Sequence, residues 1–235
     1  MSFLSSKEVK YMQQRTRLLN HIKNKIRGFA IVRKDKSLLM RILSIVLFFN
    51  KGFMTSYFTT MYPKIYVPSW FGKMEYRHRL KAEVEILAHE YVHLYDRKRL
   101  GWLFNLFYLS PQIFSLLAIG AIWNSWFLLA LVFLLPLPSP GRAWLEFRGY
   151  RMTLAVKHWM HLSKKLENKE NSYTFLENCD ITWIVKQFTG SSYYFMFPCR
   201  SALEKKFKQA IEDIKNNNLE PELLEIKNKV FGELK

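Results

Sequence analysis

The run His89-Glu90-Tyr91-Val92-His93 places two imidazoles four residues apart around a carboxylate. On an α-helix, positions i and i+4 share a face. Both rings can then reach one metal ion, while Glu90 stands beside it and can take a proton from a water activated there. Zinc suits this donor set, and ligands and base together point to hydrolysis of peptide bonds in a peptide or protein substrate. The chemistry needs a helix under the motif. Residues 76–88 are rich in helix formers and lack Gly and Pro, and Leu80, Val84, Leu87, Tyr91 and Leu94 recur at spacings of three and four. Such spacing gives the helix a buried stripe bordered by the histidines.

A catalytic zinc takes a third protein ligand and keeps one open position. The extended metzincin pattern would put Gly and His where Asp96 and Arg99 stand, so the third ligand must come from further along. Glu146 is the best candidate. It lies in a helical segment opening at Arg142, just after the helix-breaking run Pro136-Leu137-Pro138-Ser139-Pro140-Gly141. Its other reading is an ion pair with Arg142, four residues earlier. Asp96, three residues after His93, can accept a hydrogen bond from a ligand imidazole or pair with Arg97 or Arg99. A donor for the oxyanion of a tetrahedral intermediate is sought among Tyr150, His158, His161 and Arg200, and the sequence does not choose between them. Glu167 and Glu170 sit in a polar, Lys-rich stretch and read as solvated.

Between the two presumed ligand helices, 41 residues from Gly101 to Gly141 contain no Asp, Glu, Lys, Arg or His. Two short apolar helices are expected there, Trp102 to Ala118 and Ala121 to Leu135, with a turn around Gly120 and Trp123-Asn124-Ser125-Trp126. If His89, His93 and Glu146 share one ion, both ends of this segment lie on one side of any membrane, so it forms a hairpin. Arg97, Lys98 and Arg99 before it, and Arg142, Arg148 and Arg151 after it, suggest that side is cytoplasmic. The alternative is a hydrophobic insertion packed in a large protein assembly such as a virion.

These residues resemble the integral-membrane gluzincin peptidases that include the CAAX prenyl proteases and their bacterial heat-shock relatives. The resemblance covers roughly residues 82–155. His89, Glu90, His93, Arg142, Glu146 and Phe147 match the family by type and order, while Gly149 and Tyr150 stand where the family has an Ala-Asp pair. It implies a zincin-like fold with zinc on His89, His93 and Glu146, Glu90 as base, and an edge strand upstream of the zinc helix that binds substrate backbone, for which Lys64 to Val67 is the candidate. In size and style the chain is also similar to short zincin-like proteins of tailed bacteriophages.

Composition bounds the rest. At 235 residues, 49% hydrophobic and 16% aromatic, the chain can bury a sizeable core. With only Cys179 and Cys199 there is no disulfide framework, and a reducing compartment is expected. Residues 1–17 do not read as a cleavable signal peptide. The net charge is +17, and residues 1–100 hold 20 Lys plus Arg against 7 Asp plus Glu. Ser5 to Lys36 reads as a basic amphipathic helix carrying Leu18, Leu19, Ile22, Ile26 and Phe29, suited to an anionic surface; no nucleic-acid motif accompanies it. Ile42 to Phe49 is too short to span a membrane and reads as a core helix end or interfacial anchor. Met54 to Val67 is β-prone, with Pro63 confining any strand to an edge. Later segments are helical, with a break at Asn168 to Asn171, and the aromatics from Tyr193 to Phe197 read as core.

The expectation is a mainly α (α+β) zincin-like metallopeptidase domain with a small edge sheet and a hydrophobic helical hairpin between its ligand helices. Residues 1–52 are expected as a basic N-terminal region, 53–200 as the catalytic part and 201–235 as a helical tail, together one compact unit. It would work at the cytoplasmic face of a membrane. The competing expectation is a structural or assembly protein on the same scaffold, whose hydrophobic loop docks a partner and whose metal only stabilises.

Overall fold

The computed structural model describes residues 5–48, 50–168, 180–190 and 195–232. Cys179, Tyr193, Tyr194, Glu170, the side chain of Glu167 and the stretch after Asn168 lie outside these residues, and so do the readings made of them. The described chain is mainly helical with one three-stranded sheet.

Helix α1 (Ser6–Lys25) starts at a reciprocal cap, with Glu8 N–H donating to Ser5 Oγ and Ser5 N–H to the Glu8 carboxylate. Its apolar face, Leu18 and Ile22, is fully buried and packs on the motif helix. The expected longer helix stops there. Gly28, at φ +78°, turns the chain into strand β1 (Ala30–Arg33). After α2 (Leu38–Val46) come β2 (Thr59–Met61) and β3 (Lys64–Val67). The sheet order is β1-β3-β2, with β3 parallel to β1 (Ala30 opposite Lys64) and antiparallel to β2 (Thr60 opposite Ile65). Lys64 to Val67 is therefore the central strand rather than an edge. Pro63 sits in the turn before it and does not interrupt its ladder. The second neighbour is β1, drawn from residues whose spacing had suggested helix.

The motif lies on α3 (Leu80–Leu100), which ends at Gly101, φ +60°. Next is α4 (Trp102–Leu109), shorter than the expected helix to Ala118. Pro111 lacks an N–H and disfavours helical backbone at Ser110, which is extended, and the chain bends by 89°. Two 3-10 arms follow, Gln112–Ile122 and Ser125–Leu134, packed on each other as a hairpin. Gly120 allows the close crossing, since a Cβ there would lie 2.8 Å from the Phe127 ring. No single helix among the described residues is long and apolar enough to cross a membrane.

Helix α5 (Pro140–Asn168) carries Glu146 and packs on α3. The remaining helices are α6 (Thr182–Thr189), α7 (Arg200–Lys215) and α8 (Pro221–Ile226), the last running into a π turn at Lys227–Phe231. One hydrophobic core runs from Leu18 and Ile22 through Val84, Leu87, Leu154 and Trp159 to Phe207 and Val230.

A buried ionic cluster fixes α3 against α5. Arg148 donates to Asp96 (2.9 Å), Glu220 (2.8 Å) and Glu222, while Arg151 donates to Glu220 (2.6 Å). Arg148 and Arg151, which the sequence reading counted among the charges flanking the hairpin, are thus spent in ion pairs inside the fold. A buried guanidinium demands carboxylate partners, and these come from α3 and the start of α8, 52 to 74 residues away in the chain.

Candidate metal centre

One turn of α3 brings His89 and His93 together, and α5 lays Glu146 across them. Nε2 of His93 is 3.1 Å from Nε2 of His89, Glu146 Oε2 is 3.4 Å from His89 Nε2, and Glu146 Oε1 is 3.7 Å from His93 Nε2. Four tetrahedral donors at 2.0–2.1 Å from an ion stand about 3.3 Å apart; the His89–His93 edge and the His89–Oε2 edge match this, and one donor atom from each of the three residues lies within 4.8 Å of the others. All three residues are buried, with exposures of 8% (His89), 5% (His93) and 1% (Glu146). The group can bind a metal ion.

The partners of these side chains aim their lone pairs at the common point. The Thr153 hydroxyl donates to the carbonyl of Gly149 (3.2 Å), so at 3.3 Å from His89 Nδ1 its oxygen can only accept. In the neutral His89 ring the proton is therefore on Nδ1, and Nε2 faces the centre with its lone pair. Tyr108 donates to Glu146 Oε1 (2.7 Å), while Oε2 is buried with no hydrogen-bond partner. His89 Nε2 stands 3.4 Å from this oxygen, long for a hydrogen bond, so a cation held between the two would satisfy it better. Gly149 completes the cradle, because a Cβ there would stand 2.7 Å from Nε2 and Cε1 of His89.

The charges are strongly coupled. Burial works against the Glu146 carboxylate, but His93, His89 and the Tyr108 hydroxyl outweigh it and hold the carboxyl down at about 2. Burial also disfavours a proton on His89, yet Glu146 and Glu90 raise it above its ordinary value. His93 is left below its own, through burial first and then the neighbouring His89. Burial beside Glu146 pushes the Tyr108 phenol far up, so it remains a donor.

Glu90 is 9% exposed and accepts a hydrogen bond from Thr60 Oγ1 (2.5 Å). Thr60 belongs to β2, so the strand edge beside the motif glutamate is β2, not Lys64 to Val67. Near Glu90, the fully buried Lys34 donates to the Phe53 carbonyl (2.6 Å) and lies over the Phe53 ring; burial lowers its amine to about 8 despite Glu90.

Arg142 does not pair with Glu146. It caps α4 instead, donating to the Tyr108 carbonyl (2.7 Å) and to the Gln112 side chain (3.1 Å). Asp96 makes no hydrogen bond to His93, whose Nδ1 is buried without one. It is held by Arg148 and lies 3.6 Å from Arg99. The Tyr150 ring stands edge-on to His89 at 4.9 Å. His158 and His161 lie 12 and 15 residues beyond Glu146 on the same helix, about 18 and 22 Å along its axis, and Arg200 pairs with Glu204 on the surface. Of the four oxyanion candidates, only Tyr150 is beside the cluster.

Tyr108, Thr60, Thr153 and Lys34 escaped the sequence reading, and Gly149 entered it only as a departure from the family pattern. Thr153 had a usable signal, seven residues and two turns after Glu146 on one face. Tyr108 had a fainter one, as the only tyrosine in the uncharged stretch. No family model, curated protein or solved structure matches this chain.

Proposed function

We propose that the protein is a zinc-dependent peptidase of the gluzincin kind, with His89, His93 and Glu146 as ligands and Glu90 as general base. The observation that carries this reading is Glu90 itself, a buried carboxylate adjoining the ligand cluster and tied to the edge strand β2 through Thr60. A metal site that only stabilises needs ligands and has no use for such a group. Bound zinc would supply Lewis-acid polarisation of a peptide carbonyl and a more acidic water. Glu90 is placed to act as the base that would take a proton from an attacking water and return it to the leaving amine. Thr60 fixes the Glu90 carboxylate before substrate arrives, and the free edge of β2 offers backbone groups that can pair with an extended peptide. Thr153 and Tyr108 hold His89 and Glu146 in their donor orientations.

The near-complete burial of the cluster favours a second reading, a stabilising metal in an assembly protein. Glu90→Gln separates the two. The peptidase reading expects retained zinc with hydrolysis of a casein or peptide-library substrate lost, and equal hydrolysis by wild type and variant would refute it.

A further inference from the structure

The hairpin after α4 presents its apolar side chains to the outside. On the second arm Trp126, Phe127, Leu128 and Leu129 are all exposed, and so are Leu131, Val132 and Leu134, while Ala130 is buried. With three residues per turn, four consecutive exposed positions circle the arm. The first arm adds Leu116, Leu117, Ile119 and Ile122, and the tip has Trp123 at 81% and Trp126 at 74% exposure. A helix that docks on a protein shows one apolar stripe with polar residues behind it. An element apolar all round matches a solvent that is apolar on every side. The arms also bond their backbones internally, as hydrocarbon requires.

Charge identifies the headgroups. The chain carries no charged side chain from Gly101 to Gly141, whereas Lys98, which also donates to the Lys25 carbonyl, and Arg99, 3.6 Å from Asp96, are exposed just before it in a chain of net charge +17. Basic residues near an anionic leaflet are each attracted to it, and the effect fades with salt. At about 2.0 Å per residue the arms reach about 20 Å, short of a hydrocarbon core of about 30 Å.

We propose that this hairpin is an anchor that inserts into an anionic lipid bilayer from one side without crossing it. The proposal is independent of the metal reading. It is tested by floating the full chain with vesicles of phosphatidylcholine alone or mixed with phosphatidylglycerol, alongside Leu117→Glu/Leu129→Glu, two exposed positions whose replacement leaves the core untouched. Wild type should float with the mixed vesicles, less so at high salt, with tryptophan fluorescence quenched by acyl-brominated lipid. The double variant, with an unchanged circular dichroism spectrum, should partition about 100-fold less. Three results would overturn the proposal: no flotation on either vesicle, equal flotation of the double variant, or a vesicle-indifferent homo-oligomer that the double variant dissociates. Equal binding to both lipid compositions would overturn the anionic assignment.

Discussion

Replacing Tyr108 with Phe removes one hydroxyl and keeps the ring that stacks on Phe104 and stands edge-on to His93 at 6.0 Å. The lost contact is the 2.7 Å hydrogen bond to Glu146 Oε1, in a site where that carboxylate is 1% exposed and water cannot replace the donor. A hydrogen bond to a charged group contributes about 1.5–3 kcal/mol. In the metal-free variant the freed carboxylate can turn toward His89 and His93. In the loaded protein Oε2, which has no hydrogen-bond partner, would face the ion and Oε1 would be left unpaired, so most of that energy should appear as lost affinity. At 1.4 kcal/mol per tenfold, zinc binding should weaken by about 10- to 100-fold. Competition against a chromophoric chelator at neutral pH measures this, and the cobalt-substituted protein should show a shifted visible spectrum. Unchanged affinity and an unchanged cobalt spectrum would refute the claim that Tyr108 orients a ligand.

Gly149→Ala should fold yet lose metal, because its Cβ meets the His89 ring at 2.7 Å; zinc content equal to wild type would contradict that packing. Arg148→Ala strands Asp96 and Glu222 in the interior and should lower stability by about 3–5 kcal/mol, read by chemical denaturation; a change within about 0.5 kcal/mol would mean the cluster is solvated. His158 is buried and held down to about 4 by burial and by its cationic neighbours, so the unfolded chain binds a proton that the folded chain refuses. Stability from this group is present above pH 6.5 and is lost as pH falls toward 4, by about 3 kcal/mol in all, and His158→Leu should flatten the denaturation profile across that window.

The local chemistry of this chain was legible in its sequence, and the long-range pairing was not. His89, Glu90 and His93 share a helix, so one periodicity fixed their relation, and the break Pro136 to Gly141 announced the helix that carries Glu146, which opens at Pro140 rather than at Arg142. Strand β1 was hidden because Ile26 and Phe29 continue the spacing of α1, and only Gly28 marks the change. Its pairing with β3 then made Lys64 to Val67 central and left β2 to reach Glu90. Arg148 and Arg151 looked like flanking surface charge because their partners Glu220 and Glu222 lie some 70 residues on, beyond any window of periodicity. Tyr108 looked like one more apolar residue in an apolar run, and only tertiary packing aims its hydroxyl at Glu146.

The central claim is that His89, His93 and Glu146 hold a metal. Elemental analysis of protein purified without chelator tests it most directly, on wild type, His93→Ala and Glu146→Ala. The account predicts one zinc per chain in wild type and its loss in both variants. A wild-type protein without zinc, or one whose zinc survives removal of either side chain, would contradict it.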